Sequence, residues 1–182
     1  MRIISGIHKG RRLIAPKNLP VRPTTDMAKE GLFNILNNEY YFGDLKVLDL
    51  FAGTGNISYE FASRGVERIM AVDDHKGCIN FISKTSEQLD LAITPLKSNV
   101  FSFLQKTTEK FDIVFGDPPY DMALEDFERI VRSIFTKNLI LNDGVLILEH
   151  AKQTDLSRLP QFRNARKYGG SVFSFFVPQE PN

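Results

Sequence analysis

The sequence has one cysteine, three histidines and, in its first 25 residues, no acid. A single thiol, Cys78, excludes an internal disulfide and any multi-cysteine zinc site. His8, His75 and His150 are scattered and give no metal-ligand spacing, so no metal is expected. No apolar run approaches the ~18 residues of a membrane span. The start, MRIISGIHKGRRL, lacks an apolar h-region, so no signal peptide is expected. Twelve Gly and nine Pro are too few for a collagen-like or low-complexity chain. What is present is 42% hydrophobic and 25% charged in 182 residues, the balance of one packed domain. The expectation is a cytoplasmic monomer.

The net charge of +1 hides an asymmetry. Arg2, Lys9, Arg11, Arg12, Lys17 and Arg22 precede the first acid, Asp26. These are six of the 23 basic residues, which leaves 17 against 22 acids in the remainder. Arg158, Arg163, Arg166 and Lys167 form a second basic cluster near the C-terminus. Any one such run is commonly a solvated face. Two runs at opposite ends of the chain lean towards a polyanionic partner.

Residues 2–7 and 11–15 read as a β-hairpin around His8-Lys9-Gly10. Pro16, Pro20 and Pro23 make 16–23 a stiff connector. Thr24, Thr25 and Asp26 offer an N-cap to a helix whose apolar face is Ala28, Leu32, Ile35 and Leu36; Gly43 and Asp44 close the segment. Apolar strands are then expected at 46–51, 67–73, 92–97, 111–117 and 144–150. Helices are expected between them at 56–64, 75–89, 100–107 and 123–137, with Gly65 as a C-cap. Wholly apolar strands alternating with helices predict a parallel sheet covered on both faces. Residues 163–177 read as a terminal antiparallel hairpin. The class is α/β, Rossmann-like, with a mostly parallel seven-stranded sheet.

Four places carry chemistry. In VLDLFAGTGN (47–56), a buried strand reaches Asp49 and a turn, Ala52-Gly53-Thr54-Gly55, opens a helix. Gly53 and Gly55 permit close backbone approach, and the helix start favours an anion. Ser58 breaks the G-x-G-x-x-G pattern of dinucleotide folds. Asp49 suits a ligand with a cationic amine beside its carboxylate, such as the methionine part of S-adenosylmethionine. Asp73 ends the next strand about 20 residues on, where a carboxylate takes ribose hydroxyls; it or Asp74 could instead cap a helix. Asn99 could accept from an adenine amine, or simply form a turn.

Asp117-Pro118-Pro119-Tyr120 directly follows the strand FDIVFG. Two prolines stiffen the backbone and remove two N–H donors. Carbonyls and one carboxylate remain, an acceptor-only surface for an exocyclic NH₂. Tyr120 offers a face to a nucleobase. An aromatic amine is a poor nucleophile because its lone pair is delocalised. Accepting both its hydrogens favours a localised lone pair, and in-line positioning lowers the barrier further. The methylated ammonium is acidic and can lose its proton to Asp117 or water.

Taken together, R-I-I-S-G, G-R-R-L, R-P-T-T-D, L-F-N-I-L, V-L-D-L-F-A-G-T-G and D-P-P-Y resemble the RsmD-type 16S ribosomal RNA guanine-N2 methyltransferases across nearly the whole chain. The resemblance implies an S-adenosylmethionine site at Asp49, Phe51, Ala52, Gly53, Gly55, Asp73, Asp74, Asn99, Val100 and Asp117. Thr24 and Thr25, with Arg22 and Pro23, would lie over it, and Asp117 to Tyr120 would hold the amine. Arg2, Lys9, Arg11, Arg12, Lys17 and Arg22 would contact RNA. Residues 1–43 would form an RNA-binding extension and 44–182 the methyltransferase domain. The implied reaction converts guanine-966, in the small ribosomal subunit or its precursor, to N2-methylguanine with release of S-adenosylhomocysteine. Three positions depart from the pattern: Asp73 replaces Glu, Asn99 replaces Asp, and Met27 replaces Arg.

Adenine-N6 methylation of RNA or DNA fits the same acceptor pocket and stays open. A non-catalytic RNA-binding module is disfavoured by the intact Asp117, and a nicotinamide dehydrogenase by Ser58. A DNA enzyme would also want a recognition domain for which there is no length. His8 reads as a turn residue near RNA, His75 and His150 as structural, and Cys78 as a small buried hydrophobe. Phe51 and Phe101 are expected beside the cofactor pocket.

Overall fold

The computed structural model describes residues 1–19 and 24–179. The elements run α1 (Asp26–Glu39), β1 (Lys46–Leu50), α2 (Asn56–Ser63), β2 (Arg68–Asp73), α3 (Lys76–Leu89), β3 (Ile93–Lys97), α4 (Val100–Lys106), β4 (Phe111–Gly116), α5 (Leu124–Thr136), β5 (Ile140–Ala151), β6 (Phe162–Tyr168) and β7 (Ser171–Phe176). One seven-stranded sheet has the order β3-β2-β1-β4-β5-β7-β6. Strands β1 to β5 are parallel, and β7 joins β5 and β6 antiparallel. The expected class and terminal hairpin are what the chain adopts. Strand β5 is longer than expected, starting at Ile140, and the helix after the N-terminal connector ends at Glu39.

Strand alternation sorts the core into two layers. Val47, Ile113, Phe115, Val145, Ile147 and Phe173 face α1, α2 and α3, with Phe33 edge-on to Phe61 at 4.6 Å. Leu48, Leu50, Val114, Leu146 and Leu148 face α4 and α5. Both faces are covered, which is why these strands carry almost no polar residues. Two acids within them, Asp49 and Glu149, are nonetheless buried.

The N-terminal arm pairs antiparallel as expected, but over a shorter span: Leu13 N donates to Met1 O at 2.9 Å and Met1 N to Leu13 O at 3.1 Å. Arg2 and Arg12 form only an isolated antiparallel bridge, with Ile3 N donating to Arg11 O at 2.9 Å and Gly10 N to Ile3 O at 2.8 Å. Beyond Ile3 the ladder gives way to bonds with α2. The N–H groups of Ile4 and Ser5 go to the Glu60 carboxylate on α2, at 2.8 and 3.0 Å. Ile7 N donates to Ser63 O, and His8 N to Ser63 Oγ. Gly6 lies so close to the Ser63 carbonyl, at φ +83°, that a Cβ there would overlap it. Lys29, 1% exposed, sits beneath the arm. Its Nζ donates to Arg2 O at 2.6 Å and Asn56 Oδ1 at 2.9 Å, and pairs with Glu60 at 3.3 Å. Within the connector, Leu19 N turns back to Pro16 O at 3.2 Å; 20–23, including Arg22 and Pro23, lie outside the described residues.

Candidate active site

The strand order reverses between β1, which continues to β2, and β4, so the loops after β1 and β4 part in opposite directions. The crevice between them is the ligand position of open α/β sheets. Phe51, Gly53 and Gly55 all take positive φ, at 57°, 54° and 83°, winding the chain tightly off β1 into α2. A Cβ on Gly55 would meet the Tyr59 ring at 2.9 Å and Ile82 at 3.0 Å, so the turn admits only glycine there. Ala52 is buried and donates its N–H to Val72 O.

Asp73 braces this turn. Its Oδ2 accepts from Gly53 N at 2.8 Å and its Oδ1 from His75 N at 2.8 Å. Neither Asp73 nor Asp74 caps α3. His75 does, through Nδ1 and Cys78 N, and Asp74 is exposed. Asn99 is the N-cap of α4, accepting from Ser102 N at 3.2 Å, with Val100 buried behind it. Phe51 and Phe101 are partly buried on the α4–α5 side, Phe101 beneath the Arg129 guanidinium.

Three carboxyls converge on one face of the sheet. Asp49 registers with Phe115, and Leu50 with Gly116, which sets Phe51 level with Asp117. Gly116 registers with Leu148, so Asp117 and Glu149 stand side by side at the next step. Period-two alternation puts Asp49, Asp117 and Glu149 on the same side. Asp49 is 2% exposed and accepts from Ser58 Oγ at 2.6 Å; burial pushes it up to about 7. Burial, then the Glu149 and Asp49 charges, raise Asp117 well above the usual carboxylate range. Burial raises Glu149 also, against hydrogen bonds from Ser171 and Thr24. Among the described residues, no ion pair includes any of the three. Buried acid without a counter-charge is costly. The donor set therefore fits a ligand that brings its own cation and hydrogen-bond donors, as the amine of S-adenosylmethionine does.

Pro118 is buried, Pro119 is exposed, and Met122 N closes the turn on Pro119 O at 2.9 Å. Tyr120 is 73% exposed, its ring open to a planar partner. Thr25 caps α1 through Ala28 N and is otherwise exposed. Thr24 is buried, and its hydroxyl donates to Glu149 Oε2 at 2.7 Å while its carbonyl accepts from Asn56 Nδ2 at 3.0 Å. A buried polar chain thus runs from Lys29 through Asn56 and Thr24 to Glu149, joining the arm to the crevice. Arg2, Lys9, Arg11, Arg12 and Lys17 are exposed on that arm, Arg2 paired with Asp26 at 3.0 Å. The His8 ring is turned inward: Nε2 lies 3.0 Å from Leu89 O. His150 is buried against Ser174 and Ala151 O, and Cys78 is fully buried, its thiol pushed up to about 11.

Sequence reasoning missed Lys29, Asn56, Ser58's bond to Asp49, Glu60 and Glu149. For Glu149 the signal was available: one acid in the apolar run GVLILEHA.

Residues 1–177 match the family described as "Conserved hypothetical protein 95". The chain is 30% identical over 152 residues to ribosomal RNA small subunit methyltransferase D of Buchnera aphidicola subsp. Baizongia pistaciae, covering 82% of this chain and 75% of the relative. It is 29% identical over 161 residues to the Escherichia coli K12 protein of the same name, covering 88% and 79%. Among solved structures, a hypothetical protein of Thermus thermophilus superposes with TM-score 0.84 at 25% identity, covering 98% and 99% of the two chains. Tight glycine turn, aligned carboxyls, proline-stiffened β4 exit and full-length family match agree: the chain belongs to the "Conserved hypothetical protein 95" family, that of the RsmD-type methyltransferases.

Proposed function

We propose that this methyltransferase acts on the exocyclic N2 amine of a guanine in 16S ribosomal RNA, guanine-966 by resemblance. The observation that carries this reading is the acceptor-only exit of β4, Asp117 to Tyr120, standing beside buried acids that have no cation partner among the described residues. The curated relatives named above are small-subunit ribosomal RNA methyltransferases. The T. thermophilus 16S rRNA N2 G1207 methyltransferase RsmC, solved with AdoMet and guanosine, has the same fold at TM-score 0.72 and 21% identity.

Asp49 would hold the amine of S-adenosylmethionine, the Gly53–Gly55 backbone its carboxylate, Asp73 its ribose hydroxyls and Asn99 its adenine amine. When bound, that cofactor supplies a sulfonium methyl to a nitrogen nucleophile. The chain's own contribution is orientation. Asp117 Oδ and the carbonyls of the Pro118–Pro119 turn accept the amine hydrogens and so point the nitrogen lone pair at one place. Tyr120 stacks on the base and fixes its plane. Asp117, more basic than an ordinary carboxylate because of burial and its acidic neighbours, takes the proton the nitrogen releases. Thr24 and Thr25 close the crevice above. The docked arm presents Arg2, Lys9, Arg11, Arg12 and Lys17 as a fixed basic surface for RNA phosphates, with Arg22 in the same run of sequence.

The test is transfer of labelled methyl to 30S particles and to free 16S RNA, followed by digestion to nucleosides. N2-methylguanine is expected. N6-methyladenine would replace the reading with the adenine alternative. Asp117→Ala should retain cofactor affinity and lose roughly 10²–10³-fold in rate; an unchanged rate would remove Asp117 from its role.

A further inference from the structure

Glu149 has no part in the reaction as written so far, yet its position is demanding. It directly follows the buried apolar run 145–148 of β5 and is 7% exposed. Its registry neighbour on β4 is Asp117, one step past the Gly116–Leu148 pair. Parallel strands lie ~4.8 Å apart, so the two carboxyls share one small space. The Glu149 charge is, after burial, the largest cause of Asp117's raised proton affinity. No cation offsets either acid among the described residues, and no cluster there has the makings of a metal site. Thr24 Oγ1 holds Oε2 at 2.7 Å and the Ser171 hydroxyl also bonds the carboxyl. Both are single donors, and a carboxylate offers about four lone-pair sites. Counted over the described residues, acceptor capacity therefore remains.

Two carboxyls abreast ask for a ligand with donors abreast. Guanine has that edge: N1–H lies next to the N2 amine. Adenine carries an amine beside a bare N1 lone pair, which would face a carboxylate lone pair. We infer that Glu149 is a specificity-determining residue, accepting the N1–H of the target guanine while Asp117 accepts from the adjacent N2 amine. This rests on the guanine reading above and deepens it. The acceptor-only β4 exit cannot tell one amine from another; the second carboxyl can. Thr24, by fixing Oε2, positions the side chain from an element that also anchors the basic arm.

The test uses 2-aminopurine, which retains the N2 amine but replaces N1–H with a lone pair. Single-turnover methylation is measured on 30S particles carrying guanine or 2-aminopurine at the target position. The wild type should favour guanine by on the order of 10²-fold, the cost of leaving a buried acceptor facing an acceptor. Glu149→Gln, whose amide can donate to the bare N1, should shrink the preference to under about 10-fold. A general loss of packing slows both substrates alike and leaves the ratio intact. Thr24→Val, which frees Oε2, should lower the same ratio and serves if the Gln variant does not fold. A ratio unchanged in the variant that folds, or a wild type indifferent to the two bases, overturns the role of Glu149. A wild type that places no methyl on guanine N2 overturns the guanine reading itself, a separate outcome.

Discussion

Asp49 is an acid kept in the core at a cost that can be measured. Ser58 Oγ bonds its carboxyl at 2.6 Å, yet burial lifts its pKa from 3.8 to about 7. Each tenfold change in proton affinity is worth about 1.4 kcal/mol, so the whole interval corresponds to about 4 kcal/mol. The folded pKa lies above the unfolded one, so the folded chain binds the extra proton. Stability from this group is complete below pH 3.8 and is lost as pH rises through about 7. Roughly 3 kcal/mol of that loss falls between pH 5 and pH 8. Asp49→Asn cannot ionise, and Ser58 can still donate to its amide oxygen. Any packing cost of the amide applies equally at both pH values. Relative to wild type, the variant should therefore gain roughly 3 kcal/mol on going from pH 5 to pH 8. That is roughly 6–12 °C in the difference between the two melting temperatures. Scanning calorimetry of both proteins without ligand reads it directly. The same variant should bind S-adenosylmethionine far more weakly, since the ligand's amine loses its counter-charge. A melting difference that is the same at pH 5 and pH 8 would refute the reasoning.

Two further outcomes test the arm. Lys29→Met removes a buried ammonium and leaves Arg2 O and Asn56 Oδ1 without their donor, while Glu60 keeps Arg64 and two backbone N–H groups. The expected loss is about 3 kcal/mol, the low end for a broken buried pair, with faster proteolysis within residues 1–19; denaturant melts showing under ~1 kcal/mol would contradict the network. RNA affinity should fall with salt at a log–log slope of roughly −4 to −5 if six phosphates are met. Neutralising Arg11, Arg12 and Lys17 should flatten it and spare S-adenosylmethionine binding, whereas a salt-independent wild type would remove the arm from RNA contact.

Much of the site was legible because its determinants are local. A strand that must be buried on both faces shows as VLDLF, and a turn with positive φ shows as Gly53 and Gly55. A stiff acceptor loop shows as Asp117 to Tyr120. Each is a run of neighbours whose backbone demands appear in the residue types themselves. The N-terminal hairpin was legible in part: its antiparallel pairing forms between residues 1–3 and 11–13, but no further. Residues 2–7 and 11–15 have strand composition, but Glu60, more than 50 positions away, takes the Ser5 N–H that the next ladder pair would use and binds the outward Ile4 N–H as well. Asp73 and Asn99 were read as facing a ligand or as serving a cap or turn; Asn99 does cap α4, while Asp73 braces the glycine turn through Gly53 N, a contact from another segment that its own neighbours do not announce.

The sequence by itself determined the layered parallel sheet, the glycine turn and the β4 exit, since periodicity and backbone chemistry act over a few residues. Only the tertiary structure decided that Lys29 lies under the arm, that Thr24 reaches Glu149 across 125 positions, and that Glu149 stands beside Asp117. Those relations follow from strand order and register. Both depend on how separate segments pack against one another, and no single segment contains that information.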